Sequence, residues 1–308
     1  MAAFLILLKR MIALLFMMVC GYYAYKKKWV SDKGYGDLSR ITANILNPLL
    51  IINSVIVDTS VTRELLVQNF ILVVVCYVGL IVVGLILPLA LCCKKNERPH
   101  YNFMTIFSNV GFMAIPVLNA LYGEGATIYI VFYILAYNVL IYTYGIYLCA
   151  KTKENGKASF NFKSMLNPGL ISCLVAIVIY ASGVKVGDPL TSICSYLGNA
   201  TIPMSMIITG ISIAMFPIKE FLADARAYVF SIIKLLVIPI ICALIVRGLP
   251  LDKMVSHVFV YEMAMPVGSM TLMLMKTDGE NEIICSRSIV ISTVLSIVTI
   301  PLISFFLT

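Results

Sequence analysis

Apolar runs long enough to cross a bilayer, broken by charge clusters or by Gly and Pro, recur along the whole chain. They fall near 4–25, 38–57, 66–92, 101–122, 126–149, 165–183, 189–215, 225–247, 254–275 and 283–307. A helix needs about 20 apolar residues to span the hydrocarbon, so the pattern predicts an all-α polytopic membrane protein of about ten transmembrane helices. The connectors are too short for a soluble domain.

Composition narrows the class further. The 308 residues are 61% hydrophobic and 12% charged, with a mean hydropathy of +0.98. That excludes a globular soluble enzyme, a disordered chain and a nucleic-acid binder, and makes the lipid bilayer the first partner. The net charge of +8 belongs to the connectors. One set carries Lys26, Lys27, Lys28, Lys33 and Arg40, then Lys94, Lys95 and Arg98, then Lys151, Lys153, Lys157 and Lys163, then Lys219 and Arg226, then Lys276 and Arg287. The other carries Arg63, Lys185, Arg247 and Lys253, besides Lys9 and Arg10, which can snorkel to the surface. The lysine-rich set is expected in the cytoplasm, with both termini outside.

Lys9-Arg10 followed by Met11 to Cys20 imitates a signal peptide with a lipid-attachment cysteine. Val19 stands where cleavage needs a small residue, and Lys26 to Lys28 would resist export, so this segment reads as an uncleaved first helix. The nine cysteines lack metal-ligand spacing, and the adjacent Cys92 and Cys93 lie at a helix end. They read as reduced thiols, with acylation of the pair as the alternative in a eukaryotic host. His100 and His257 have no companions at zinc spacing, and neither metal nor cofactor is implied.

Two motifs recur. Asn44-Ile45-Leu46-Asn47-Pro48 in the second span resembles Asn199-Ala200-Thr201-Ile202-Pro203 in the seventh, and Met113-Ala114-Ile115-Pro116 in the fourth resembles Met263-Ala264-Met265-Pro266 in the ninth. The pairing of spans two with seven and four with nine means a repeated five-helix unit, 1–150 and 165–308, joined by a cytoplasmic connector at 151–164. Five is odd, so the second copy is inverted in the membrane.

A proline inside a span removes a backbone hydrogen bond that lipid cannot replace, so such a break survives where it lines a cavity. In span four Asn109, Gly111, Pro116 and Asn119 cluster; in span nine Pro266, Gly268, Ser269 and Thr271 do the same. Helix breaks near mid-membrane would aim half-helix N-termini at an anion, which predicts a small anionic or strongly polar substrate. A pair of plain proline kinks is the alternative.

Glu262 is the acid nearest mid-depth and Lys234 the corresponding base. Each costs about 2.5–3.5 kcal/mol at a helix centre on insertion scales, so both should face protein or water. Two readings stay open: a mutually neutralised structural pair, or charge coupling in which Lys234 attracts the anion and Glu262 carries a proton. Asn44, Asn47 and Asn199 accompany the repeated prolines and are candidate substrate contacts. Asn138 in span five reads as an amide that only bonds a helix, and the tyrosines of that span as packing or interface groups.

The stretch Gly111 to Gly123 (GFMAIPVLNALYG) with Tyr137-Asn138, then Leu166-Asn167-Pro168 leading to Leu197 through Pro203, and Met263 to Pro266 with Ser292 to Ser296 and Pro301, resembles the auxin efflux carrier family, in its bacterial permease branch. The resemblance covers essentially the whole chain. It implies two inverted five-helix repeats, a scaffold, a transport domain with spans four and nine crossing at Pro116 and Pro266, similarity to the bile-acid and sodium symporter-like folds, a homodimer, and a bacterial inner-membrane location. It also implies organic-anion substrates: malate and other carboxylates in bacterial members, auxin in plant ones. The connector from Lys151 to Lys163 is shorter than the central loop of many plant carriers, and Ile115 and Met265 stand where those carriers pair asparagine with the crossing proline.

The expected function is therefore alternating-access transport of a small organic anion such as malate, coupled to protons or sodium. The rivals are an uncoupled uniporter or exchanger of an auxin-like aromatic acid, and a ligand sensor on a transporter fold. An intramembrane enzyme would need a catalytic acid pair, a serine with a histidine or a zinc motif within the spans, and these are not present in the sequence.

Overall fold

The computed structural model describes residues 2–57, 62–152, 167–184, 186–215, 225–268, 270–275 and 280–307. Helix lies on every apolar segment of the sequence, and the described residues contain no strand beyond one isolated bridge. Five helices are long and apolar enough to cross a membrane: Arg63–Ala90, Thr127–Lys151, Leu190–Ala214, Ala225–Arg247 and Ile283–Leu307. Met11–Lys26 and Pro168–Ser182 are shorter apolar helices. The remaining segments are interrupted, and the interruptions have local causes.

We label the helices in chain order: α1 (Ala2–Lys26), α2 (Asp32–Ile41), α3 (Asn47–Val57), α4 (Arg63–Ala90), α5 (Arg98–Ile106), α6 (Ala114–Tyr122), α7 (Thr127–Leu140), α8 (Ile146–Lys151), α9 (Pro168–Ser182), α10 (Leu190–Asn199), α11 (Thr201–Ala214), α12 (Ala225–Ile232), α13 (Ile238–Arg247), α14 (Lys253–Met263), α15 (Met270–Leu274) and α16 (Glu280–Leu307). Three π turns, Thr42–Leu46, Ile141–Gly145 and Ile233–Val237, join α2 to α3, α7 to α8 and α12 to α13. Two of them run up to a proline, Pro48 and Pro239. Proline cannot donate to the carbonyl four residues back, and a widened turn accommodates that loss without ending the helix.

The helix α4 shows why the molecule belongs in lipid. Its buried positions, Asn69, Leu72, Val73, Cys76, Tyr77, Leu80, Gly84 and Leu87, form one helical stripe. The opposite stripe, with Phe70, Val74, Val78, Leu85 and Leu89, is exposed and equally apolar. A helix apolar all round needs apolar surroundings on both sides.

Small residues set the closest approaches. A Cβ on Gly21 would collide with the Ile207 carbonyl, and one on Gly210 with the Met18 carbonyl, so α1 and α11 touch backbone to backbone. At the lysine-rich ends, Lys26, Lys27 and Lys151 sit over the rings of Tyr22, Tyr23 and Tyr147 at 5.5, 5.4 and 4.6 Å. Trp29 packs edge-on to Tyr23 at 5.7 Å. Amphipathic rings beside cations are interface anchors. Glu97 and Arg226, both on connectors of the lysine-rich set, form an ion pair at 2.9 Å. All nine cysteines are free, with Cys20 and Cys92 exposed. The connector at 151–164 falls outside the described residues beyond Thr152.

Candidate functional site

The helix α5 stops at Ile106 and α6 starts at Ala114; α14 stops at Met263 and α15 starts at Met270. The two breaks meet in a one-residue antiparallel bridge between Ser108 and Val267. The Asn109 N–H donates to the Pro266 carbonyl at 2.8 Å, and the Gly268 N–H to the Phe107 carbonyl at 3.0 Å. Backbone freed by each break is thus satisfied by the other. Gly268 suits this approach, because a Cβ would lie 3.1 Å from the carbonyl oxygens of Phe107 and Ser108 and the breaks would have to give by a few tenths of an ångström.

The prolines act at different places from those the motif suggests. Pro266 lies inside its break, but Pro116 is the third residue of α6, where a helix does not need its N–H. Its effect is felt upstream: the ring blocks the turn back to Phe112, whose carbonyl lies 3.5 Å from the Ser205 hydroxyl, itself bonded to the Ile202 carbonyl at 2.8 Å. Asn109 fills the gap between the helices, its side-chain oxygen accepting from the Phe112 N–H at 3.3 Å.

Lys234 and Glu262 are not partners of each other. In a continuous helix the Thr105 carbonyl would accept from the Asn109 N–H, which has turned to Pro266. Lys234 takes that place, its ammonium donating to the Thr105 carbonyl at 2.7 Å and to the Ser108 hydroxyl at 2.8 Å. A cation at a helix C-terminus also meets the negative end of the helix dipole. Glu262 is 2% exposed, and both its carboxyl oxygens lack a hydrogen-bond partner. The Tyr133 hydroxyl is likewise buried without a partner. Helix phase explains the mismatch with a mutual pair: similar depth in two spans says nothing about which way each side chain points.

A cavity of about 140 Å³ opens beside the bridge. Ser108, Asn109, Val110, Gly111 and Phe112 line it from one break, Gly268 and Met270 flank the other, and Asn44, Asn47, Asn138 and Asn167 close it from surrounding helices. Ile134, Tyr137 and Tyr142 supply apolar and aromatic wall. Five asparagines, Asn44, Asn47, Asn109, Asn138 and Asn167, thus line one space whose lining includes no charged residue. Asn44 lies in a π turn and Tyr142 in another, and π turns recur at functional sites.

The other expected contacts lie elsewhere. Asn199 is exposed and bonded to Ser195 at 3.4 Å, Asn119 accepts from the Thr127 hydroxyl at 2.9 Å, and buried Thr271 has an unpartnered hydroxyl outside the cavity lining. Ser269 falls outside the described residues. Conversely, Asn138 and Asn167 line the cavity although one donates to the Ile134 carbonyl of its own helix and the other caps α9 through the Leu170 N–H. A local bond does not keep an amide residue out of the cavity lining, a distinction that residue type alone does not reveal.

An apolar helical chain whose broken helices exchange backbone bonds beside an asparagine-lined cavity has the build of a membrane transporter. The model of the membrane transport protein family matches residues 6–304, and the chain belongs to that family, the auxin efflux carrier family that its motifs resemble. It is a multi-pass membrane protein. Among its relatives is an "uncharacterized transporter" of Methanothermobacter thermautotrophicus, 23% identical over 295 residues that cover 94% of this chain and 95% of the relative.

Proposed function

We propose that this protein is a secondary transporter of a small organic anion, a carboxylate such as malate, working by alternating access around the bridged breaks. The observation that carries this reading is the convergence of five asparagine amides on the cavity at the bridge. Neutral amide donors hold a carboxylate by hydrogen bonds yet release it more readily than a salt bridge would. Lys234, one hydroxyl away through Ser108, adds positive potential without occupying the space.

In this reading ten spans form two inverted five-helix units, 1–150 and 165–308, linked by the cytoplasmic connector at 151–164. The termini face outward, the membrane is the bacterial inner membrane, and two copies pair. Asn44, Tyr142 and Asn167 lie in the halves of their spans nearest the lysine-rich connectors, so the cavity faces inward. Glu262 is the coupling group: a buried carboxyl with no partner is where a proton or sodium ion would be taken up. The aromatic wall of Phe112, Tyr137 and Tyr142 favours a second reading, an uncoupled uniporter or exchanger of an auxin-like aromatic acid.

The deciding experiment is uptake of labelled carboxylates and indole-3-acetate into proteoliposomes, with and without an inward proton or sodium gradient, for the native protein and Glu262→Gln. Dicarboxylate uptake accelerated by one gradient, and no longer accelerated in the variant, is the expected result. Gradient-independent uptake shared by both proteins would remove the coupling role of Glu262, and uptake of the indole acid alone would decide for the second reading.

A further inference from the structure

The connectors outside the lysine-rich set carry few cations, Arg63, Lys185, Arg247 and Lys253. Two of these, Arg247 and Lys253, line a single cavity of about 220 Å³. The cavity lies where α13 ends and α14 begins, against the end of α16. Val246, Phe306 and Leu307 give it an apolar wall, and Ser256 adds a hydroxyl.

The polar groups beside these cations make local bonds. Asp252, the acid of the intervening connector, turns its carboxylate to the N–H groups of Met254 and Val255 at 2.8 and 3.2 Å. His257 faces the Tyr122 hydroxyl at 2.5 Å. Among the described residues neither Arg247 nor Lys253 has a carboxylate within ion-pair distance. Cations at helix ends commonly just snorkel into water; here two of them converge over an apolar wall. That wall continues onto the outward face of α13, where Leu244 and Ile245 are exposed.

We propose that this cavity binds the phosphate of an anionic phospholipid, held by the Arg247 guanidinium and the Lys253 ammonium, with the start of an acyl chain against Val246 and Phe306. A guanidinium matches a phosphate with two parallel hydrogen bonds, and an ammonium adds a compact charge. Basic pockets between membrane helices are a recurring form of headgroup recognition. The proposal stands apart from the transport reading.

The test uses the full chain in nanodiscs of phosphatidylcholine alone or mixed with phosphatidylglycerol, comparing the native protein with R247Q/K253Q. The native protein should keep one phosphatidylglycerol in native mass spectrometry and melt at least about 3 °C higher in the mixed bilayer. The double variant should lose both effects while melting like the native protein in phosphatidylcholine. An equal gain in both proteins, or no gain in either, would overturn the proposal. If millimolar inorganic phosphate in phosphatidylcholine discs reproduces the native gain, the occupant is a soluble anion and the lipid assignment falls. Should the double variant fail to fold, the single variants R247Q and K253Q, each expected to halve lipid retention or worse, decide in its place.

Discussion

Asn109 and Pro266 come from distant parts of the chain, yet the backbone N–H of one donates to the carbonyl of the other at 2.8 Å. The bond uses only main-chain atoms, so it depends on how closely the two breaks can approach. Gly268 sets that approach. Gly268→Ala should push the breaks apart and lower stability by about 1–3 kcal/mol, the usual cost of overpacking. Thermal unfolding in detergent reads this directly, and an unchanged melting temperature would mean that the bridge yields easily.

Lys234 replaces a missing helical donor. Lys234→Met should leave the Thr105 carbonyl and Ser108 hydroxyl without their partner, at a cost of about 1–3 kcal/mol. Lys234→Gln, which can still donate, should recover part of that loss. If the two variants unfold alike, the lysine contributes through its charge rather than through these two bonds.

The cavity amides separate true contacts from look-alikes. Asn138→Leu and Asn47→Ala should each weaken substrate binding about 5- to 10-fold, the worth of one hydrogen bond. Asn199→Ala, at an exposed amide outside the cavity, should leave binding unchanged. Saturation curves of uptake for the three variants provide the comparison, and a loss confined to Asn199→Ala would move the site to the other repeat motif.

Glu97 and Arg226 differ in burial. The Glu97 carboxylate accepts from the Lys94 N–H at 2.9 Å as well as from Arg226, and it is buried, while the arginine is partly exposed. Glu97→Ala should cost about 1–3 kcal/mol, and Arg226→Ala, which leaves a buried carboxylate without its cation, about 3–5 kcal/mol. Equal losses in chemical denaturation would mean that the ion pair itself carries the effect.

Much of the architecture is legible in the sequence because lipid demands long apolar runs, and helix occupies each of them. The meeting of the segments 101–122 and 254–275 is legible too, through Met113 to Pro116 and Met263 to Pro266. The position of the first break is not, since Pro116 acts on the turn before it and the chain has already left the helix at Phe107. The apparent pairing of Lys234 with Glu262 fails because hydropathy gives depth but not rotation about the helix axis. Asn138 reads as an amide that only bonds a helix and Asn167 as part of the family motif; both local bonds are present, yet both residues also line the cavity, which residue type does not reveal.

The π turn at Ile141–Gly145 carries one more residue than an α-helix would use for the same rise. Everything beyond it is rotated by about 100° from where an unbroken helix would place it. A helical wheel drawn straight through span five therefore assigns Tyr147 and Leu148 to the wrong faces. The same surplus residue means that a single deletion inside 141–145 would restore an ordinary helix, whereas a deletion one turn earlier would turn Tyr137 and Asn138 away from the space they now share.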